Sequence, residues 1–93
     1  MFKNFTRDTE EKKTYHCPCC GCLTLYGRGG FEICQVCYWE DDGQNDHDAE
    51  EVRGGPNGDL SLAVARTNYK IHRASDAKYI SNVRPPTDDE KTG

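Results

Sequence analysis

Two pairs of cysteines, each with two intervening residues, constrain this chain more than any other feature. The pairs are Cys17/Cys20 and Cys34/Cys37, and 13 residues separate Cys20 from Cys34. Two intervening residues let both thiolates of a pair point at one ion, and Gly21 after the first pair can take the left-handed backbone conformation that ends such a turn. Two facing pairs supply four sulfur ligands in a tetrahedral arrangement. The spacing therefore predicts a tetrathiolate metal site on a zinc-ribbon-like β-hairpin.

The chain contains too few large apolar residues to hold a fold by burial alone. Leu, Ile, Val and Phe together make up 14 of its 93 residues. This share is below the roughly 20% at which disorder becomes the usual expectation. A bound ion supplies folding free energy that a small core lacks. We therefore expect the metal to hold the fold.

The chain has no feature of a secreted or membrane protein. Its first residues carry no apolar run of signal-peptide length, and its longest uninterrupted apolar run is only Leu62 to Ala65. A cytoplasmic location without membrane contact is the resulting expectation. Because cytosolic thiols stay reduced, clustered cysteines there favour metal binding over disulfides.

Six cysteines are two more than a tetrathiolate site needs, so the ligands must be chosen. A Cys19/Cys22 pair would be followed by Leu23 instead of glycine. The predicted ligands are therefore Cys17, Cys20, Cys34 and Cys37. Cys19 and Cys22 are then spare, partly buried side chains, and His16 is an alternative to one thiolate. Four thiolates favour Zn(II), with iron possible in the same site, and leave no open position for a substrate.

Charge and turn residues divide the chain into segments of one predicted domain, residues 1–93. We expect a small α+β domain in which a ribbon is followed by an acidic loop and one or two C-terminal helices. The segments are a leader (1–13), the metal ribbon (14–38), the acidic loop (39–58), a helical segment (59–84) and a charged, frayed tail (85–93).

Short apolar patterns predict the secondary structure within these segments. Leu23–Tyr26 and Phe31–Ile33 flank the glycine-rich residues 27–30, a pattern typical of a β-hairpin. A helix is expected from a cap near Asp59–Ser61, with Leu62, Ala65 and Tyr69 on its buried face. A second, shorter helix is expected from about Ser75. Its end is set by the two prolines at 85 and 86.

The motifs exclude most enzyme classes. The chain has no Ser-His-Asp order, no glycine-rich phosphate loop and no open metal position. Its acidic run lacks the glycine and glutamate positions of an EF-hand, so calcium is not expected. The sequence therefore predicts a noncatalytic protein with no small-molecule substrate.

Several strings together resemble the bacterial CPCC family of cysteine-rich proteins. They are Tyr15-His16-Cys17-Pro18-Cys19-Cys20-Gly21, Leu23-Thr24-Leu25, Glu32-Ile33-Cys34, Trp39-Glu40-Asp41-Asp42-Gly43-Gln44 and the run from Gly54 to Leu62 with Ala65-Arg66. Gln35, where the family commonly has proline, and the additional Cys22 depart from this pattern. The resemblance implies metal binding and a role as a candidate immunity protein near bacterial toxin genes.

Protein binding is the function class that fits best. Seven acidic residues lie between 39 and 58, and an acidic surface beside aromatics can occlude a basic cleft of a toxin. The predicted contact residues are Tyr38, Trp39, Asp41, Asp42 and Asp46. The alternative is a nucleic-acid-binding ribbon that uses Arg66, Lys70 and Arg73. A pI of about 5.3 argues against it.

Overall fold

A computed structural model describes residues 13–91 of the chain. The predicted leader, apart from Lys13, and the last two residues of the predicted tail lie outside the described residues. The described part forms a small compact α+β domain. Its elements are strands β1 (Tyr15–His16) and β2 (Leu23–Leu25), helices α1 (Leu62–His72) and α2 (Asp88–Lys91), and 3₁₀ turns at Asp46–Asp48, Gly55–Asn57 and Ala77–Asn82.

The strand pairing differs from the predicted hairpin. β2 pairs antiparallel with β1, so that His16 lies opposite Leu23, whereas Ile33 pairs with Glu40. Each pairing therefore spans one C-x-x-C turn, and the glycine-rich residues 27–30 do not join two paired strands. The physical reason is that a C-x-x-C turn reverses the chain over only a few residues. The segments on either side of that turn are then the nearest available partners.

The predicted acidic loop is folded through its own charges. Burial opposes ionisation of Asp41, but the Arg28 guanidinium and the backbone N–H groups of Gly29 and Gly43 outweigh it and lower the pKa of that carboxyl. Arg28 Nε lies 2.8 Å from the Asp41 carboxylate. This buried pair fixes the start of the segment against residues 28 and 29.

Two more arginines pair with other carboxylates of the acidic loop. Arg66 on α1 lies 2.8 Å from Asp46, and Arg53 pairs with Asp48. The buried side chain of Gln44 donates hydrogen bonds to the backbone carbonyls of Asp48 and Glu51. The mutual repulsion of these carboxylates is therefore relieved within the fold.

Helix α1 agrees closely with its sequence pattern. The Ser61 side chain accepts a hydrogen bond from the Val64 N–H, which caps the first turn. Leu62, Ala65 and Tyr69 are the buried residues of the helix, as predicted. They pack in one cluster with the cysteines, Leu25, Val36 and Trp39. The helix therefore covers the cysteine-rich region.

The second predicted helix is a 3₁₀ turn, Ala77–Asn82. It begins at Asp76, whose side chain accepts a hydrogen bond from the Lys78 N–H. The Tyr79 N–H donates to the Asp76 carbonyl, an i to i+3 bond. This tighter hydrogen-bond pattern is typical of such short helical pieces.

Residues 85–91 of the predicted frayed tail are instead ordered and, together with Arg84, dock onto the body of the protein. The two Arg84 terminal nitrogens each lie 2.8 Å from an oxygen of Glu90, and Glu90 is buried. Thr87 and Glu90 cap α2 reciprocally, each side chain accepting a hydrogen bond from the other's N–H. Arg84 also donates to Gln35 in the second C-x-x-C turn. Charge pairing, which hydropathy does not reveal, orders this segment, and the Arg84 bonds to Gln35 attach it to the second C-x-x-C turn.

No helix within residues 13–91 is long and apolar enough to cross a membrane.

Replacing Glu90 by glutamine is expected to lower the free energy of unfolding by about 1–3 kcal/mol, because the neutral amide loses the charge-assisted bonds to Arg84 and Thr87. Arg84 lowers the pKa of Glu90 to about 2. The stabilisation is therefore complete above the ordinary pKa of 4.5 and is lost as pH falls from there toward 2. Urea unfolding should therefore give the same loss of unfolding free energy for Glu90→Gln at pH 6 and at pH 7.

Asp88→Asn is the matched control, because Asp88 is fully exposed on the same helix and lies 3.8 Å from Lys91. This control is expected to change stability little. A Glu90→Gln penalty no larger than that of the control would contradict the docking role of the Arg84–Glu90 pair.

Candidate metal centre

The two C-x-x-C turns have the same backbone hydrogen bonds, offset by 17 residues. The Cys17 N–H donates to the Cys22 carbonyl at 2.8 Å, and the Cys34 N–H donates to the Trp39 carbonyl at 2.9 Å. Within each turn, the N–H after the second cysteine bonds to the carbonyl of the first. Strand pairing follows the same offset, since His16 faces Leu23 and Ile33 faces Glu40. The two turns are thus equivalent knuckles, one on each side of the site.

The residue after each knuckle has a left-handed backbone conformation. Gly21 has φ of 80°, as its position in the sequence predicts, and the equivalent Tyr38 has φ of 72°. A tyrosine is disfavoured in this conformation. Its ring packs against Tyr79, with a centroid separation of 4.5 Å, and is half-buried there. This packing compensates for the strained backbone.

The four predicted ligands converge at one point. The sulfur atoms of Cys17, Cys20, Cys34 and Cys37 all lie within 4.8 Å of one another. Across the two knuckles, Cys17 Sγ is 3.6 Å from Cys37 Sγ, and Cys20 Sγ is 3.7 Å from Cys34 Sγ. A tetrahedral zinc ion with metal–sulfur bonds of 2.3 Å requires sulfur separations of about 3.8 Å. The cluster therefore has the dimensions of a tetrathiolate metal site.

Nearby donors stabilise negative charge on the sulfurs. The Thr24 hydroxyl lies 3.0 Å from Cys34 Sγ, and the Val36 N–H donates to the same sulfur at 3.4 Å. The Trp39 N–H donates to Cys37 Sγ at 3.5 Å. Such bonds reduce the charge that a cation must balance when all four thiols are deprotonated.

The protonation of the cluster shows why it requires a cation. Contact with the Cys17 sulfur, followed by the other sulfurs and burial, raises the pKa of Cys37. The same contact raises the pKa of Cys20, whereas contacts with Cys17 and Cys20 lower that of Cys34. Deprotonation of Cys34 is therefore favoured, and deprotonation of Cys20 and Cys37 is opposed. A divalent ion replaces the retained protons and permits four thiolates together.

The remaining candidate ligands occupy other positions. His16 Nδ1 donates to the Gly21 carbonyl at 3.2 Å. Cys19 and Cys22 are buried and are equivalent, by the 17-residue offset, to Val36 and Trp39. Those positions pack against the knuckles in the core. The structure therefore places the two spare cysteines as small core side chains beside the site.

Of the five predicted contact residues, two are buried, Tyr38 and Asp42 are half-buried, and only Asp46 is exposed. Trp39 and Asp41 are 0% exposed, so their prediction as contact residues is wrong for this fold. Trp39 fills the core beside the knuckles, and Asp41 is bound by Arg28. Asp42 is half-buried and accepts a hydrogen bond from the Gln44 N–H, while Asp46 remains exposed although Arg66 contacts it. A tryptophan directly after a metal knuckle was the signal for a core position.

Four thiolates and no oxygen or nitrogen ligand suit Zn(II) or iron. The donor set and the sulfur separations fit either ion. A metal bound by all four sulfurs has no free coordination position, so it would stabilise the fold and would not activate a substrate.

Removing the metal is expected to unfold the protein cooperatively. Structural zinc sites contribute about 10–16 kcal/mol of apparent binding free energy, which is comparable to the whole stability of a small domain. Chelation, or the single change Cys34→Ser, should therefore abolish the near-ultraviolet circular dichroism and expose the buried Trp39 indole to water. A full near-ultraviolet signal after metal removal verified by elemental analysis would contradict this role.

Cys19 and Cys22 are expected to be dispensable for metal binding. The double variant Cys19→Ala, Cys22→Ala should retain the wild-type metal content, with some loss of stability from the two packing positions. The matched comparison is Cys17→Ala, Cys20→Ala, which should lose the metal. Elemental analysis of the purified proteins is the measurement. Occupancy of the first variant below about half of wild type would show that the ligand register is wrong.

Comparison with known proteins supports the sequence resemblance. The model of the family described as "Cysteine-rich CPCC" matches residues 15–90, which include both knuckles, α1 and most of α2. No curated protein matches the chain significantly. No solved structure does so either. The family match covers most of the chain and all four converging cysteines, and the chain therefore belongs to the cysteine-rich CPCC family.

Proposed function

We propose that this chain is a noncatalytic protein-binding module folded around a structural metal ion. The observation that carries the proposal is the closed set of four sulfurs, three of them fully buried. A metal held in this way stabilises the fold. Function then belongs to the surface of the protein and not to the metal.

The surroundings of the cluster support a noncatalytic role. Thr24, Val36 and Trp39, which pack near its sulfurs, are neither acids nor bases at neutral pH. Within residues 13–91 no second group of histidine, cysteine or carboxylate side chains is placed to hold a metal. Metal-assisted chemistry at a second site would require such a group.

The contact face we propose is a hairpin surface formed by Tyr15, Tyr26, Phe31 and Ile33. All four side chains are exposed, Tyr26 and Phe31 to just over half. They lie where the two knuckle hairpins meet, since the Tyr26 N–H donates to the Glu32 carboxylate between Phe31 and Ile33. Aromatic side chains supply much of the binding energy at protein interfaces. This surface replaces the buried Trp39 as the proposed anchor.

The partner we propose is a cognate bacterial toxin, which the chain would inhibit in the cytoplasm as an immunity protein. This assignment rests on the likeness to the CPCC family, whose members look like candidate immunity proteins. The net charge of −4 and the exposed Asp46 favour a basic partner surface. Surface charges of this kind mainly raise the association rate, whereas buried aromatic anchors mainly slow dissociation.

Nucleic-acid binding is the less favoured alternative. It would use Arg66, Lys70 and Arg73 on α1, but Arg66 donates to the Pro18 carbonyl and to Asp46. Of these three side chains, only Lys70 and Arg73 are then available for phosphate groups. The low pI is also unlike that of a typical nucleic-acid-binding domain.

The proposal is tested by binding kinetics with the protein encoded by the adjacent gene, the candidate toxin. The double variant Tyr26→Ala, Phe31→Ala should dissociate at least about tenfold faster, equivalent to roughly 1.4 kcal/mol. Alanine retains the Cβ atom, so the left-handed backbone of Phe31 is not relaxed. Asp46→Asn should slow association and reduce its salt dependence.

Ile71→Ala is the matched control, because Ile71 is a more exposed apolar side chain that lies on α1. Kinetics that the hairpin double variant leaves unchanged would remove this surface from the proposal. Tight wild-type binding to nucleic acid at physiological salt would instead favour the alternative.

A further inference from the structure

A cleft distant in sequence from the metal ligands has the properties of a small-ligand site. It lies between the end of α1, the 3₁₀ turn Ala77–Asn82 and the docked C-terminal segment, and its volume is about 450 Å³. Pockets that bind small organic ligands usually measure about 300–1,000 Å³ and combine apolar walls with a few converging polar groups. Its main lining residues are Tyr69, Arg73, Ile80, Val83, Pro86 and Lys91.

The walls of the cleft are largely apolar. Ile80 is about half exposed, although it is a large aliphatic residue, and Val83 and Pro86 lie beside it in the lining. A ligand with an apolar body would remove this surface from water, at about 25 cal/mol per Å².

The charge lining the cleft is positive. Arg73 and Lys91 line it, and none of its lining residues within the described chain is acidic. Arg84 also lines it, but both of its terminal nitrogens bind Glu90, which satisfies that charge. Lys91 lies 3.8 Å from the exposed Asp88, a weak interaction. Arg73 therefore carries most of the uncompensated charge.

Arg73 is held in position without an anionic partner. Its backbone ends α1 in the left-handed conformation, and its N–H donates to the Tyr69 carbonyl at 2.8 Å. Its guanidinium lies 5.3 Å from the centre of the Tyr69 ring. No carboxylate within residues 13–91 lies at ion-pair distance from it. An exposed guanidinium of this kind can bind a carboxylate through two parallel hydrogen bonds.

We propose that this cleft binds a small organic acid, a carboxylate attached to an apolar body. Arg73 pairs with the carboxylate, Lys91 adds positive charge, and Ile80, Val83 and Pro86 pack against the body. Binding is noncovalent, and it is independent of the metal ligands and of the hairpin surface. The cleft is thus a second proposed site, and its residues lie C-terminal in the sequence to those of the hairpin surface.

The test is an NMR titration of the metal-loaded full chain with 4-phenylbutyrate as the probe. Saturable shifts are expected at Tyr69, Arg73, Ile80 and Val83. The neutral analogue 4-phenylbutan-1-ol should bind at least about fivefold more weakly, because it lacks the charge that Arg73 recognises. Equal affinity for the two probes, or no saturation by about 10 mM, would overturn the proposal.

Arg73→Gln should weaken binding of 4-phenylbutyrate about tenfold. Lys70→Gln is the matched control and should leave the affinity unchanged, because Lys70 is exposed on α1 and does not line the cleft. Equal weakening by both variants would show general charge attraction and would contradict a built site. Tighter binding of the blocked peptide acetyl-Phe-Glu-amide than of 4-phenylbutyrate would overturn the assignment to a free acid.

Discussion

The convergence of four sulfur atoms from two equivalent turns is the interaction on which the remaining structure depends. Five of the six cysteines are buried in the same cluster as Leu25, Val36, Trp39 and the inner face of α1. The apolar core described for residues 13–91 is therefore assembled around the candidate metal ligands. Four neighbouring thiolates repel one another, and a bound cation would offset that repulsion within the core.

Arginine–carboxylate pairs are the second source of order. Four arginines, each bound to an acidic residue, connect segments that share little apolar surface: Arg28 with Asp41, Arg53 with Asp48, Arg66 with Asp46, and Arg84 with Glu90. Asp41 is the most buried of these four acids, at 0% exposed, and removing Arg28 would leave its charge unpaired at a cost in stability. The acidic segment is therefore part of the fold, which leaves fewer of its charges for a partner.

The elements that the sequence predicted are those fixed by short-range patterns. The ligand set follows from cysteine spacing, and the cap and buried face of α1 follow from Ser61 and the helical period of Leu62, Ala65 and Tyr69. The strand pairing was missed because the alternating pattern of these short strands fits two pairings. One spans the glycine-rich residues 27–30, and the other, which is observed, spans each C-x-x-C turn. The burial of Asp41 and the docking of Glu90 were missed because each depends on one arginine, which lies 13 residues from Asp41 and six residues from Glu90. No periodicity in the sequence marks such a pair.

The position of the knuckles along the chain bears on how the protein folds during synthesis. The last of the four cysteines is Cys37, and the helix that covers them ends at His72, 35 residues later. At about 5–20 residues per second, the ribosome adds those residues in roughly 2–7 s. During synthesis the four thiols therefore precede their cover by seconds, an interval in which metal capture and oxidation compete for them.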